Sequence, residues 1–169
     1  MDSPAITLDA MSEDEFAEFI VWVVRDQVVQ QTRTGRWAAE DALNYAKGEV
    51  MLVLPQGLQT PDTYIYAVRD ALTGERVGSL WLMLRRRARM TETYVYNLVV
   101  EEPKRGLGYG RAMMRATADW AREHGTATVG LHVFGHNAPA RALYRSLGLR
   151  ETNVTMQWDL DAPADAPAQ

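Results

Sequence analysis

A glycine-rich loop restricts what this chain can fold into more than any other stretch. Residues 100–111 read Val-Glu-Glu-Pro-Lys-Arg-Gly-Leu-Gly-Tyr-Gly-Arg and lie between an apolar run at 94–99 and a helical pattern. This order predicts a strand, a tight loop and a helix. Glycines at alternate positions leave out every other Cβ, so successive backbone N–H groups can turn toward one bound group. The helix N-terminus and the basic side chains of Lys104, Arg105 and Arg111 favour an anion there, so the loop predicts a pyrophosphate site.

The spacing of the glycines does not match two other kinds of glycine-rich loop, the dinucleotide-binding loop and the P-loop. The dinucleotide fingerprint Gly-x-Gly-x-x-Gly needs its third glycine one residue later than Gly110, with an acidic residue about 20 positions on. Thr128 stands there instead. A P-loop needs Gly-Lys-Ser/Thr, which does not follow in this sequence. A nucleotide-binding enzyme that uses the loop in another way is therefore a weaker alternative.

Two motifs resemble the GNAT superfamily of acetyl-CoA-dependent N-acetyltransferases. The coenzyme A loop of that family has the pattern Arg/Gln-x-x-Gly-x-Gly/Ala, which Arg105, Gly108 and Gly110 match. Residues 137–149 read Asn-Ala-Pro-Ala-Arg-Ala-Leu-Tyr-Arg-Ser-Leu-Gly-Leu, close to the family's Asn-x-x-Ala-x-x-Leu-Tyr-x-x-x-Gly-Phe. The resemblance is specific over residues 94–160 and loose before them.

The resemblance implies a GNAT-like α/β (α+β) fold. In that fold a mixed, mostly antiparallel twisted sheet has two splayed central parallel strands and helices on both faces. It also implies acetyl-CoA as co-substrate and direct attack by a primary amine in a ternary complex. The pantetheine arm would pair with the backbone of Leu98, Val99 and Val100, and Asn137 would hold it. The loop residues implied for coenzyme A binding are Arg105, Gly106, Leu107, Gly108, Tyr109, Gly110 and Arg111.

Tyr144 is the candidate acid, both by resemblance and by position. Attack on a thioester releases a thiolate with a pKa of about 8.5, which a neighbouring acid can protonate. The family has a tyrosine at the matching position, and Tyr144 lies two helical turns after Asn137 on the same face. Packing beside Leu143 and Leu147 is the alternative role for Tyr144, and an ordinary helix cap is the alternative for Asn137.

The reaction also needs a base, because a primary amine with a pKa of about 10.4 is protonated at neutral pH. His132 is the leading candidate, since it lies mid-strand in the prediction where some family members have a catalytic glutamate. A structural histidine is the alternative. Rival bases are Glu92 and a water molecule held by Tyr94, Tyr96 or Asn97. His132 and His136 do not share a face of a strand followed by a turn, so no metal site is expected.

Composition predicts one domain, over residues 1–161, and the resemblance implies that this domain is an N-acetyltransferase. The chain has 169 residues, 47% of them hydrophobic, and such a chain can bury about 70% of its unfolded surface. It has no cysteine, which excludes disulfides and fits a reducing, cytoplasmic setting. A net charge of -4 disfavours a nucleic-acid partner. Neither a signal peptide nor a membrane span is expected, and the scarcity of lysine among the basic residues suggests a bacterial source.

Periodicity and turn residues predict the remaining elements. The first half is expected to hold a strand at Ile6–Leu8, a helix that begins at the capping box Ser12–Glu15, and a second helix from Trp37 or Ala38 to Val53. Strands are expected at 64–69 and 77–84, with residues 85–89 as a solvated hairpin tip or an anion site. The second half is expected to hold a strand at 94–100, a helix at 110–124, a strand at 128–133, a helix capped by Asn137, a strand at 153–160 and a disordered tail at 162–169.

A protein of this fold that only binds an acyl-CoA or an amine as a sensor remains the alternative function. The sequence leaves the acceptor open between a small-molecule amine and a peptide amine, and leaves the length of the acyl chain open as well. It also leaves open whether the protein forms a homodimer.

Overall fold

The computed structural model describes residues 3–87 and 90–156. The chain divides into two compact units, Met1–Leu131 and His132–Gln169. The first unit holds the sheet and three of the four longer helices, and the second holds the fourth helix.

Helix α1 (Glu13–Arg33) begins where the sequence predicts, directly after strand β1 (Ile6–Ala10). The Ser12 hydroxyl accepts the Glu15 N–H at 3.2 Å, and the Glu15 carboxylate accepts the Ser12 N–H at 3.1 Å. This reciprocal pair is the predicted capping box, and it satisfies donors that the first turn of a helix leaves open. Helix α2 (Ala42–Val53) begins later than the predicted Trp37 or Ala38, because the Ala38 carbonyl closes a turn by accepting N–H groups from residues 41 and 42.

Five strands form one sheet in the order β1-β2-β3-β4-β5. The further strands are β2 (Thr63–Asp70), β3 (Arg76–Arg87), β4 (Met90–Val100) and β5 (Val129–Leu131). Neighbours from β1 to β4 are antiparallel, and β4 with β5 is parallel. The prediction of a mixed, mostly antiparallel sheet is confirmed.

The prediction that residues 85–89 form a hairpin tip is wrong for residues 85–87, which continue β3. The Arg85 guanidinium lies 3.1 Å from the ring centre of Tyr94 on the next strand, and Arg86 pairs with Asp62 at 3.0 Å. Cross-strand partners of this kind stabilise charged side chains within an antiparallel ladder. Residues 88 and 89 lie outside the described residues.

Helices cover both faces of the sheet in the first unit. Residues of α1 and α2 share one apolar cluster with the sheet, centred on the fully buried Trp81. Helix α3 (Tyr109–Glu123) shares the other cluster, where Met113 and Trp120 pack with Leu80, Leu82 and Val95. Strand β4 therefore contributes side chains to two separate cores, Tyr96 to one and Val95, Leu98 and Val100 to the other.

The chain after α3 differs more from the sequence prediction. Strand β5 ends at Leu131 rather than 133, because a turn follows in which the Asn137 N–H donates to the Phe134 carbonyl at 3.0 Å. Helix α4 (Ala138–Ser146) then begins at Asn137 as predicted. Residues 153–156 form no strand, and the rest of the predicted last strand and the tail 162–169 lie outside the described residues.

Candidate active site

Strand β4 has an open edge in the unit Met1–Leu131. It pairs with β3 along its whole length, yet it pairs with β5 only from Thr93 to Val95. Strand β5 ends at Leu131, so its pairing with β4 ends at Val95. Between Val95 and Val100 this edge of β4 offers backbone groups that β5 does not bond.

The backbone groups of Leu98 and Val100 face this open edge. The Glu101 N–H donates to the Val77 carbonyl at 2.9 Å, and the Val99 carbonyl lies against Gly78, so both residues direct their peptide groups toward β3. The backbone N–H and C=O groups of successive residues point to opposite edges of a strand. Those of Leu98 and Val100 therefore point away from β3. Of the three residues implied for the pantetheine arm, Leu98 and Val100 thus direct backbone groups to the open edge, where the Val100 carbonyl accepts a hydrogen bond from Arg105 Nε, while the backbone groups of Val99 face β3.

A β-bulge in β4 changes which side chains face α1 and α2. Trp81 pairs with Asn97 and Leu82 pairs with Val95, so Tyr96 is the extra residue. Val95 and Leu98 both belong to the α3-side core. The two residues between them, Tyr96 and Asn97, therefore both project toward α1 and α2.

The glycine loop has the local geometry that an anion site needs. Gly106 has φ 76° and Gly108 has φ 91°, which are left-handed values that glycine adopts at least cost, while Gly110 lies within α3. Within the described residues, the backbone N–H groups of residues 106–110 donate no hydrogen bond. The next N–H, that of Arg111, already donates to the Gly108 carbonyl at 3.1 Å. Successive free donors at a helix N-terminus fit a pyrophosphate group.

Two side chains of this loop are held by the turn between β2 and β3. The Tyr109 hydroxyl donates to Asp70 at 2.7 Å, and Lys104 donates to Glu75 at 2.6 Å. The Tyr109 hydrogen bond, followed by the N–H groups of the turn, lowers the pKa of Asp70, and Glu75 raises the pKa of Lys104. The ammonium group of Lys104, which the sequence suggested for the anion site, thus forms an ion pair with Glu75.

Sequence reasoning missed Asp70 and Glu75, which lie 25 or more residues before the loop. A signal for Asp70 was available in the Asp-Ala-Leu-Thr-Gly turn, where Asp70 also accepts the N–H groups of Leu72 and Thr73 at 2.9 Å each. An aspartate that organises a turn is common. Its second contact, to Tyr109, depends on tertiary structure.

Arg105 is exposed, and its Nε donates to the Val100 carbonyl at 3.2 Å. It lines a cavity of about 370 Å³ on the α1 side of β4. Val99 and Val100 also line this cavity, together with Phe19 and Trp22 of α1. The sequence-predicted residues 99, 100 and 105 are therefore brought together in the first unit.

The second unit holds the other three predicted site residues. His132 is exposed and directly follows β5, so the expectation that it lies mid-strand is wrong. Its ring meets Phe134 edge-on, with centroids 5.1 Å apart. The Asn137 side chain accepts the Ala140 N–H at 3.2 Å, which makes it the N-cap of α4. Tyr144 is half-buried in α4, and burial raises the pKa of its hydroxyl.

The rival bases belong to the face of β4 that α1 and α2 cover. Glu92 lies beside Gly130, where an added Cβ would meet the Glu92 carboxylate and lie 3.6 Å from the Tyr94 ring. Burial, with a smaller contribution from Glu49, raises the pKa of Tyr96. Across the part of the chain that the structure describes, no group of three or more His, Cys, Asp or Glu side chains could hold a metal ion.

Residues 36–149 match the sequence model of the Acetyltransferase (GNAT) family. The chain belongs to the GNAT family. A relative in Bacillus subtilis, the uncharacterized N-acetyltransferase YycN, is 32% identical to this GNAT chain over 151 residues, 89% of the chain and 96% of the relative. The ribosomal protein bS18-alanine N-acetyltransferase of Escherichia coli is 35% identical over 65 residues, 38% of the chain and 44% of the relative.

The fold of this GNAT chain also matches a solved structure of YycN from Bacillus subtilis. The TM-score is 0.87 at 31% identity, over 92% of the chain and 99% of that structure. The predicted GNAT-like fold is therefore confirmed. Among residues 3–87 and 90–156, no helix has both the length and the apolar character that crossing a bilayer requires.

Proposed function

We propose that this GNAT protein transfers an acetyl group from acetyl-CoA to a primary amine, by direct attack in a ternary complex. One observation carries the proposal. The open edge of β4 at Leu98 and Val100 leads directly into a loop whose backbone N–H groups at 106–110 have no partner within the described residues. An extended arm that ends in a pyrophosphate has both the shape and the charge to bind there.

Acetyl-CoA would supply the activated thioester. The residues proposed to bind it are the backbone of Leu98 and Val100, the N–H groups of residues 106–110, and the exposed guanidinium of Arg105. Val99 lies between these two residues in β4. Asn137, at the start of α4, is proposed to hold the pantetheine arm. An N–H on the open edge of β4 would donate to the thioester oxygen as negative charge develops on it.

Two proton transfers complete the proposed reaction. The ammonium of the acceptor must lose a proton before attack, and His132 is proposed as the base that takes it. Glu92 and a water held by Tyr94, Tyr96 or Asn97 are the rivals. Tyr144 is proposed to donate to the departing sulfur, because its buried hydroxyl has a raised pKa and keeps its proton at neutral pH. No side chain forms a covalent intermediate.

The proposed acceptor is a small-molecule or peptide amine, handled in the cytoplasm without a metal ion. The name of the Escherichia coli relative describes a peptide acceptor, the alanine of a ribosomal protein. Another relative is named mycothiol acetyltransferase, and it is 33% identical over 96 residues. These names support acceptors of both sizes.

Thiol release from acetyl-CoA in the presence of a panel of amines tests the proposal. The expected result is release that depends on both the protein and the amine. A sensor of the same fold would bind acetyl-CoA in calorimetry and release no thiol with any amine. Failure of acetyl-CoA to bind at all would contradict both the acetyltransferase and an acyl-CoA sensor, and would leave only a sensor of an amine.

A further inference from the structure

Three buried polar atoms lack hydrogen-bond partners within the described residues. They are Oε1 of Gln27, Nε1 of Trp81 and Oδ1 of Asn97. Trp81 has no exposed surface at all. Buried polar groups are costly when unpaired, so a native protein usually gives such atoms a hydrogen-bond partner, which is a protein group or a bound molecule such as water.

The residues that carry these three atoms lie in one layer beside Tyr96, on the face of β4 that points toward α1. The Tyr96 ring lies 4.0 Å from the Trp81 ring, and the bulge places Asn97 beside Tyr96 on the same face. Gln27 of α1 reaches the same place, since its side chain interacts with the Tyr96 hydroxyl. All three residues therefore surround Tyr96.

This layer adjoins the proposed path of acetyl-CoA. Asn97 directly precedes Leu98, whose backbone groups face the open edge of β4. A guest held beside Tyr96 would be next to the end of β4 that the thioester would reach. The inference made from this position rests on the proposed function.

The unpaired atoms have a distinctive pattern of two acceptors and one donor. An ammonium group has only donors and can satisfy both carboxamide oxygens. An indole N–H has no acceptor capacity, so it needs an oxygen from the guest. A simple alkylamine would satisfy the first two atoms and leave the indole unpaired.

We propose that Gln27 and Asn97 bind the ammonium group of the acceptor, and that Trp81 donates to an oxygen atom next to that amine. The acceptor class is therefore a primary amine with a neighbouring carbonyl or hydroxyl oxygen. Glu49 of α2 acts electrostatically on the Tyr96 hydroxyl, and its negative charge also favours a cationic guest. A carbonyl neighbour would indicate an amino acid or peptide terminus, and a hydroxyl neighbour an amino alcohol.

Three amines of similar length test the proposal in the parent and in Trp81→Phe. The probes are glycinamide, 2-aminoethanol and n-propylamine, each measured at saturating acetyl-CoA. The ratio of variant to parent kcat/KM cancels intrinsic differences between the amines. Trp81→Phe should lower the variant-to-parent ratio of kcat/KM for the oxygen-bearing probe that the site selects to about one tenth of the ratio for n-propylamine, as expected for one lost hydrogen bond in a buried site.

Trp37→Phe is the matched control, because Trp37 packs in the same α1 and α2 cluster and contacts Tyr45. It should leave all three ratios near one. Gln27→Leu provides a second variant outside the sheet, and it should raise the KM of every amine while leaving the KM of acetyl-CoA unchanged.

Equal effects of Trp81→Phe on all three amines, or unchanged amine KM in Gln27→Leu, would overturn the proposal. Ligand-observed NMR of the probes with coenzyme A present keeps the two proposals separate. Oxygen-dependent binding without turnover would contradict only the acetyltransferase function. Turnover or binding with no preference for the oxygen would contradict only this assignment.

Discussion

At the scale of single residues, the environment of Tyr144 decides what its hydroxyl can do. Burial raises its pKa above the usual value, so the hydroxyl keeps its proton across the neutral range and is lost as a donor only when pH rises through that raised value. A donor to a thiolate matters mainly once charge has developed on sulfur. Tyr144 is therefore expected to act on the chemical step more than on binding.

Tyr144→Phe should lower kcat by about 10²-fold or more, the low end for a positioned acid, and change the KM for acetyl-CoA little. Steady-state kinetics with the best amine of the panel measures both quantities. Tyr45→Phe, on the exposed surface of α2, is the control and should match the parent. Equal kcat in Tyr144→Phe and the parent would leave Tyr144 a packing residue.

His132→Gln tests the proposed base. If the imidazole takes the proton, the variant should lose about 10²-fold to 10⁴-fold in kcat/KM, together with the rise of kcat/KM with pH, while acetyl-CoA affinity is kept. The pH profile of kcat/KM for parent and variant is the measurement. A variant that keeps both its activity and its pH profile would exclude His132, and Glu92→Gln would then be the next variant to measure.

Sequence reasoning at this scale worked where a motif fixes a residue and failed where a partner is distant in the chain. Asn137 was predictable as a cap because Asn before a helix has a local bonding partner. The unpaired indole of Trp81 was not predictable, because its contact with Phe19 of α1 and its place opposite a bulge depend on the folded sheet. A tryptophan in an apolar strand looks like ordinary core in the sequence alone.

At the scale of elements, the glycine loop gives a direct test of the anion site. Gly108 is a poor position at which to introduce a negative charge, since a Cβ there would lie 3.0 Å from Pro4 and the backbone has φ 91°. A charge introduced by Gly108→Asp would therefore be confounded with strain. Leu107 is a better position, because it is 60% exposed and is not among the residues with positive φ.

Leu107→Glu should weaken acetyl-CoA binding several-fold by placing a negative charge in the loop, and the loss should shrink as salt is added. Leu107→Gln has nearly the same shape without the charge and should bind acetyl-CoA like the parent. Calorimetry at two ionic strengths measures the difference. Equal affinity of the two variants would remove the loop from the proposed site.

The turn between β2 and β3 is expected to hold the loop in its binding conformation. Tyr109→Phe removes the hydroxyl that bonds Asp70, so acetyl-CoA should bind several-fold more weakly with kcat nearly unchanged. The pKa of the Asp70 carboxyl is lowered, so Asp70 is ionised at every pH above its usual pKa. The hydrogen bond from Tyr109 to the ionised carboxylate should therefore weaken only when pH falls through the lowered pKa.

A double-mutant cycle with Asp70→Asn measures the strength of this contact. Asn can still accept the N–H groups of the turn, so the double variant should be no weaker than the worse single variant. Additive losses, or an unchanged affinity in Tyr109→Phe, would show that the contact does not control the loop.

Most elements followed from local signals, and the exceptions have tertiary causes. The start of α1 was readable because a capping box is a local motif. The end of β3 was not, because Arg85 and Arg86 stay in the strand through contacts to Tyr94 and Asp62. The bulge at Tyr96 likewise depends on register with β3, which no single-strand pattern encodes.

At the scale of the whole molecule, the sequence predicted the sheet type and the GNAT family from two motifs. The comparison with YycN and the five-stranded sheet confirm both. The sequence of α1 and α2 did not predict the class of acceptor. The apolar periodicity of these helices indicates which face is buried, and it does not indicate which polar side-chain atoms stay unpaired in the folded protein. Those atoms became visible only once Gln27, Trp81 and Asn97 could be placed in one layer.

N-acetylation with acetyl-CoA as donor is the step on which the proposed function depends most. Mass spectrometry of a mixed panel of primary amines, incubated with the protein and acetyl-CoA, tests it when the released thiol is counted in the same sample. The expected result is one N-acetylated amine per released thiol, formed only in the presence of protein and in smaller amount with Tyr144→Phe. Thiol release without any N-acetylated product, or bound acetyl-CoA that stays intact with every amine, would contradict it.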